Sequence, residues 1–191
     1  MRRIKEKAAR LRRYPRGRGF GVQSPNDYNF ITKVVKGRID KDCCAVTDKE
    51  NEDVHKDGYK FVHLCYRVAQ YLKPSRCICL THDEDNVSHY VKAAVPDVIL
   101  EHSYESIYED GKCLVILSPA VDYTAKVGDI LNAASENMWM IVEGIRTDDE
   151  TYKAWLKITD DMRARITFDL YNYGIICFDK KRYKQKYKIY L

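Results

Sequence analysis

The sequence predicts an α/β fold in which a mostly parallel sheet is covered by helices on both faces and ends in an antiparallel hairpin. Continuous apolar segments alternate with amphipathic ones, which is typical of a parallel sheet that is buried on both faces. The predicted strands are 76–81, 97–101, 112–118 and 138–143, and the predicted helices are 82–95, 122–136 and 148–159. Apolar and polar residues then alternate from Ile166 to Leu170, and a second apolar run follows Asn172-Tyr173-Gly174, which predicts a turn and a hairpin.

The N-terminal part of the chain differs from the rest in composition. Residues 1–58 are expected to form a basic N-terminal helix, a second helix and a polar linker that pack on the core, and residues 59–191 are expected to form the α/β domain. The second helix is predicted to begin at Ser24-Pro25, with serine as the N-cap, and to end at Gly37.

The linker and the first helix of the main domain follow. Residues 37–58 are polar and charged, which predicts a loop, and Cys43-Cys44 within it has no partner at the spacing of a zinc site. Apolar residues at helical spacing predict a helix from Tyr59 to Leu72, which ends before Pro74.

The composition is that of a globular domain, with 45% hydrophobic and 32% charged residues in a chain of 191. No apolar run approaches the roughly 18 residues that a membrane-spanning helix requires. Seven cysteines, an odd number, without an apolar export signal indicate free thiols in a reducing compartment. We therefore expect a cytoplasmic protein with no membrane partner.

Basic residues are concentrated at the two ends of the chain. Residues 1–18 contain nine Lys/Arg and one acidic residue, and residues 179–191 contain six and one. Such clusters favour a nucleic-acid partner, because they release counterions from a phosphate backbone. The candidate nucleic-acid-binding residues are Arg10, Arg12, Arg13, Arg16, Lys184 and Lys186. A solvated surface without a ligand and a protein partner, including a second copy of the chain, remain the alternatives.

The segment Thr81–Asp85, which follows the first predicted strand, has two interpretations. Cysteine and histidine side chains lie in and near it, but no second ligand pair has a comparable spacing, so we predict no metal site. Thr81 and Glu84 have the spacing of a capping box, as do Thr147 and Glu150, so both segments predict a helix start. The carboxylates here would compete with an anionic ligand for the helix N–H groups.

Four segments together resemble one protein family: RGFGVQSPNDYNFITKVV, LCYRVAQYLKPSRCICL, ETYKAWLKITDD and ITFDLYNYGIICFDKKRYKQKYKIYL. They are similar to bacterial class I S-adenosylmethionine-dependent methyltransferase-like proteins of the O-methyltransferase type. The resemblance implies a Rossmann-like sheet and S-adenosylmethionine as the cofactor. The shorter distance between the first and central strands implies a fold that is one βα unit shorter than the full methyltransferase fold.

The chain departs from these relatives where the cofactor would bind. Where they have Glu-Leu-Gly after the first strand, this chain has Cys79-Leu80-Thr81-His82-Asp83. Their aspartate and glycine after the central strand are replaced by Ser118-Pro119, and their Asp-Asp-Ile-His-Trp by Glu143-Gly144-Ile145-Arg146-Thr147. Gln23 replaces a histidine.

The candidate cofactor-binding residues are Thr81, His82, Asp83, Glu101 and Ser118. Glu101 would accept hydrogen bonds from the ribose hydroxyls, His82 would serve as a base, and Glu143 would lie near the substrate. A solvated strand end is the alternative interpretation of Glu101. Because three cofactor-binding positions are replaced, we expect a methyltransferase-like protein that is catalytically inactive, with no catalytic or metal residues. The alternative is a nucleic-acid-binding or protein-interaction module that uses the basic termini.

Overall fold

The computed structural model describes residues 8, 11, 13, 21–38, 56–108, 111–119 and 122–191. These residues include seven strands: β1 (Arg76–Leu80), β2 (Ile99–Glu101), β3 (Cys113–Leu117), β4 (Met138–Glu143), β5 (Ile166–Asp169), β6 (Tyr173–Cys177) and β7 (Gln185–Lys188). They form one sheet in the order β2-β1-β3-β4-β6-β5-β7. The first four strands in that order are parallel, β6 is antiparallel to β4 and β5, and β7 is parallel to β5. The predicted fold class is confirmed.

Five α-helices lie in the same part of the chain: α1 (Pro25–Asn29), α2 (Lys56–Leu72), α3 (Glu84–Ala94), α4 (Val127–Ala133) and α5 (Asp149–Asp160). Helix α1 continues as a π-helix over Phe30–Val35, and a 3-10 helix spans Tyr104–Tyr108. Helix α2 begins inside the segment that was predicted to be a loop. Residues 39–55 of that loop, with Cys43-Cys44, lie outside the described residues.

Helices cover both faces of the sheet because successive side chains of each strand point to opposite faces. In β1, Cys77 and Cys79 join one core cluster, with α2, α3 and the π-helix. Ile78 and Leu80 join the other, with α4 and α5. All five residues of β1 are buried, which explains why the four that follow Arg76 form a continuous apolar run rather than an alternating pattern.

Two of the three predicted helix caps are wrong by one or two residues. The first is confirmed, since the Ser24 side chain accepts a hydrogen bond from the Asp27 N–H. Thr81 does not cap α3; it is buried, and the N-cap is Asp83. The capping box of α5 consists of Asp148 and Thr151 rather than Thr147 and Glu150. After β1 the His82 N–H still donates to Ser118, which follows β3, so α3 begins only at Glu84.

The hairpin prediction is right, but the predicted turn is wrong. Gly174 lies within β6, and the turn falls between Asp169 and Tyr173. The positive φ of +79° belongs to Tyr171. That conformation is unfavourable for a residue with a side chain. Its cost is offset because the Tyr171 N–H donates to Asp169 Oδ1 (3.0 Å) and its carbonyl accepts from Arg146 (2.7 Å).

The five cysteines in the described part of the chain are free and buried. Burial is the largest cause that raises the pKa of Cys79, Cys113 and Cys177, each to about 11. These thiols therefore act as small apolar core groups. No helix in the described ranges has both the length and the apolar character needed to cross a membrane.

Candidate functional site

The site predicted from the sequence lies at the carboxyl edge of the parallel strands. Helix α3 leaves β1 on one face of the sheet and α4 follows β3 on the other, and β1 and β3 are neighbours. The gap between their carboxyl ends is therefore the topological switch point, where open α/β sheets bind ligands. The structure brings four of the five predicted cofactor-binding residues to this gap (Thr81, His82, Asp83 and Ser118) and the fifth, Glu101, to the end of the neighbouring β2.

Hydrogen bonds join the two loops across this gap. The His82 N–H donates to Ser118 Oγ at 3.3 Å, and the Ser118 N–H donates to the Leu80 carbonyl at 3.1 Å. Thr81 is buried between them, and its hydroxyl lies 3.8 Å from Cys79 Sγ. The loops after β1 and β3 are thus held against each other where a ligand would enter.

His82 and Glu143 form the second contact at this edge. His82 Nδ1 lies 4.0 Å from Glu143 Oε2, and the histidine side chain is 64% exposed. Burial raises the pKa of Glu143, protonated His82 would lower it, and Asp83 raises it further. A half-buried carboxyl with a raised pKa beside a histidine is a group that can exchange protons.

Glu101, predicted to bind the ribose, is paired within the protein. Its Oε2 atom accepts from Arg76 Nε at 2.9 Å and from a second nitrogen of the same guanidinium at 2.5 Å. Arg76 also donates to the Ser106 carbonyl at 2.8 Å. The ion pair is largely shielded from solvent, with side-chain exposures of 8% for Arg76 and 20% for Glu101. Glu101 is therefore neither a solvated strand end nor an uncommitted acceptor.

His102 is a residue that sequence reasoning missed. Its Nδ1 lies 3.2 Å from Glu84 Oε2 and 3.1 Å from the Cys79 carbonyl. It thereby links the end of β2 to the end of β1 and the start of α3. Its position directly after a predicted strand end was the signal that could have found it.

The N-terminus of α3 is surrounded by acidic groups. The Asp83 carboxylate accepts from Asn86 Nδ2 at 3.0 Å, and Glu84 and Asp85 lie in the first turn. Acidic side chains are stabilising at this end of a helix dipole. They also disfavour an anionic ligand group at the same N–H donors, as the sequence indicated.

A buried ion cluster lies at the same edge of the sheet, next to the end of β5. The Asp169 carboxylate binds the Arg146 guanidinium through both oxygens (2.8 and 2.6 Å) and accepts a further bond from Arg13 (2.7 Å). Burial alone would raise the pKa of Asp169, but hydrogen bonds from Arg146 and Arg13 outweigh it and lower that pKa. Arg13 also donates to the Ile189 carbonyl at 3.2 Å, so its side chain links residue 13 to the ends of β5 and β7.

The other described candidates for nucleic-acid binding also contact acceptors of the protein itself. Lys184 donates to the carbonyls of Asp160, Asp161 and Ala164, at the C-terminal end of α5. Lys186 pairs with the Asp160 carboxylate. Together with Arg13, these lysines neutralise acceptors of the protein itself. Arg10, Arg12 and Arg16 lie outside the described residues.

No group of three or more potential metal ligands occurs in the ranges that the structure describes. Comparison with protein-family models and with curated proteins finds no match to this chain.

Proposed function

We propose that this chain is a Rossmann-like protein of the S-adenosylmethionine-dependent methyltransferase type that no longer binds the cofactor and does not transfer methyl groups. The observation that carries the proposal is the hydrogen bond from the His82 N–H to Ser118 Oγ across the switch point. A cofactor in this gap would have to break that bond and separate the two loops. No glycine in either loop offers the close backbone approach that nucleotide-binding turns use.

The pairing of Glu101 supports the same proposal. A carboxylate that recognises ribose must offer its oxygens to two hydroxyl groups. Here Arg76 occupies Oε2 with two donors, and releasing it would leave a buried guanidinium without its partner. Leaving such a buried charge without its partner typically costs about 3–5 kcal/mol.

The charge at the start of α3 gives the third argument. The methionine end of S-adenosylmethionine carries a carboxylate beside an ammonium group, and the negative charge of Asp83 and Glu84 disfavours that carboxylate at the N–H donors of this helix. The residues present at this edge therefore do not fit the cofactor, and no catalytic step is assigned to it.

The test is a thermal melt of the protein with and without S-adenosylmethionine or S-adenosylhomocysteine at millimolar concentration. The proposal predicts no change in Tm. A ligand at a hundred times its Kd would stabilise the protein by about 2.7 kcal/mol. For a domain of this size that stabilisation raises the Tm by roughly 5–10 °C.

A Tm shift of that size would contradict the proposal, and two variants would show where the ligand binds. Glu101→Gln should abolish a shift that arises from ribose recognition at β2. Lys153 is exposed on α5, and Lys153→Gln removes a charge away from this edge. It is the control and should leave such a shift unchanged. Loss of the shift in Glu101→Gln alone would restore the interpretation of this edge as a working cofactor site.

A further inference from the structure

Strand β7 ends the sheet on the side opposite β2, and half of its main-chain groups point away from the sheet. The Gln185 and Ile189 N–H groups donate to the Arg165 and Asp169 carbonyls, both at 2.8 Å. Hydrogen bonds to a parallel neighbour come from alternate residues. The N–H and C=O groups of the residues between, Lys186 and Lys188, therefore face outward, and no strand in the described ranges pairs with them.

A groove runs along this open edge. It consists of two cavities, of about 490 Å³ and about 380 Å³, which share Gly21, Gln185 and Tyr187 as lining residues. The smaller cavity follows β7 as far as Ile189, with Val22 on the other side. The smaller cavity, which Lys186 and Lys188 line, thus offers space beside the outward main-chain groups.

The floor of the larger cavity is a neutralised polar cluster. The Asp27 side chain is only 5% exposed, and it pairs with the Arg182 guanidinium. Its second oxygen accepts from the Tyr187 hydroxyl at 2.9 Å. Since this carboxylate is matched within the protein, it does not repel a negatively charged ligand in the groove.

Positively charged side chains lie on β7 and in the turn that precedes it. Lys180, Lys181 and Lys188 are exposed, and none of them forms an ion pair with a residue in the described part of the chain. Lysines on an edge strand oppose pairing with an identical strand, because like charges would face each other. The same lysines attract an acidic partner, so the charge selects against a second copy and in favour of an acidic chain.

From these observations we propose that the outer edge of β7 binds an extended, acidic peptide segment of another protein by strand addition. Main-chain hydrogen bonds to Lys186 and Lys188 supply the affinity, and the free lysines select carboxylates. An added strand would lie about 4.8 Å from β7, within the groove. This surface is distinct from the carboxyl edge, and the proposal does not depend on whether a cofactor binds there.

The test is a selection of random decapeptides displayed on phage against the full-length protein. We expect the enriched peptides to lack proline and to carry Asp or Glu at alternate positions. The best peptide, labelled with fluorescein, is then titrated by polarisation. Two N-methylated versions of the peptide are compared, one methylated at the odd-numbered residues and one at the even-numbered residues. Only one of the two should lose binding, because only one set of N–H groups faces β7.

Variants of the protein test the same contact from the other side. Lys188→Gln removes a charge and should weaken binding several-fold. Lys188→Pro also removes an outward N–H, which an edge strand tolerates, and should weaken binding roughly tenfold more. Lys153→Gln is the matched charge control and should bind like the wild type. Melts of each variant establish that it is folded, and the N-methylated peptides remain decisive if Lys188→Pro is not.

Three outcomes would overturn the proposal. The first is a selection that enriches nothing or enriches peptides without acidic residues. The second is a peptide whose affinity changes neither with N-methylation parity nor in the Lys188 variants. The third is displacement of the peptide by a ten-nucleotide oligothymidylate that binds more tightly, which would identify the edge as a nucleic-acid surface.

Discussion

Gly174 lies under the indole ring of Trp155, and we expect Gly174→Ala to destabilise the protein. A Cβ atom at this position would lie 2.3, 2.5 and 2.9 Å from three carbon atoms of the indole. Ordinary carbon contacts are at about 3.5–4.0 Å, so either the ring or strand β6 would have to move. Trp155 is 2% exposed and packs between α5 and the sheet, which leaves the ring little room.

The magnitude follows from overpacking. Inserting one methyl group into a well-packed core costs about 1–3 kcal/mol, and the three short distances favour the upper half of that range. For a domain of this size each kcal/mol lowers the Tm by about 2–4 °C, so we expect a decrease of roughly 4–12 °C. Urea denaturation followed by far-UV circular dichroism would measure the change in the free energy of unfolding directly.

Two further variants separate the contact from the general effect of adding alanine. Gly128 lies exposed in α4, and a Cβ there meets no atom within 4 Å, so Gly128→Ala should stabilise the protein slightly. In the background of Trp155→Leu, which lacks the indole, Gly174→Ala should lose most of its cost, giving a coupling energy of about 1–3 kcal/mol. A Gly174→Ala protein as stable as the wild type, or an unchanged cost without the indole, would refute this packing argument.

The remaining predictions concern ionisable and capping groups. Asp169→Asn should lower the free energy of unfolding by about 3–5 kcal/mol in urea denaturation, because both Arg13 and Arg146 lose their carboxylate. The pKa of Asp169 is lowered in the folded state. The stabilisation by its carboxylate is therefore complete above the unfolded pKa of about 3.9 and is lost as the pH falls through the lower folded value. Asp169→Asn should lack this loss of stability in an acid titration. Glu143→Gln should stabilise the protein at pH 7, because burial disfavours the carboxylate, and melts should show the gain disappear as the pH falls through the raised pKa. Ser24→Ala should cost about 0.5–2 kcal/mol through the lost N-cap, and an unchanged melt would contradict that role.

Most of the fold could be predicted because burial leaves a local record in the sequence. The five residues of β3 are all buried, and so the segment is apolar throughout. Helix α5 shows the opposite pattern, with buried positions such as Trp155 and Ile158 separated by exposed ones. Such periodicities identify strands and helices without knowledge of their partners. Helix boundaries were less well predicted, because the start of α3 depends on contacts between Thr81, His82 and the sheet.

Gly174 shows that a glycine can be required for a reason other than the turn that it suggests. Glycine in a sequence that turns back on itself suggests a positive φ, and the prediction placed the turn there. The structure instead gives the positive φ to Tyr171, whose backbone is held by Asp169 and Arg146. Gly174 is needed because a side chain of a distant helix lies on it. Nothing local distinguishes these two reasons for a glycine.

The candidate site was predictable as a location but not as a set of contacts. Parallel strands end at one edge, so Thr81, Ser118 and Glu101 could be expected there from the strand boundaries alone. The partner of Glu101 is Arg76, on the neighbouring strand, and the two become close only through the register that pairs Arg76 with Ile99. Pairings of this kind depend on the assembled sheet, and local patterns do not encode them.

Two largely buried carboxylates at the strand ends are matched by arginines of the chain itself. A binding site keeps polar groups available until its ligand arrives, whereas Glu101 and Asp169 are both held by arginines. Internal pairing keeps these buried charges matched without any ligand. Buried ion pairs of this kind add little net stability, but each requires both partners once it has formed. The arginines that face Glu101 and Asp169 are therefore required by the fold itself, whether or not a ligand binds at this edge.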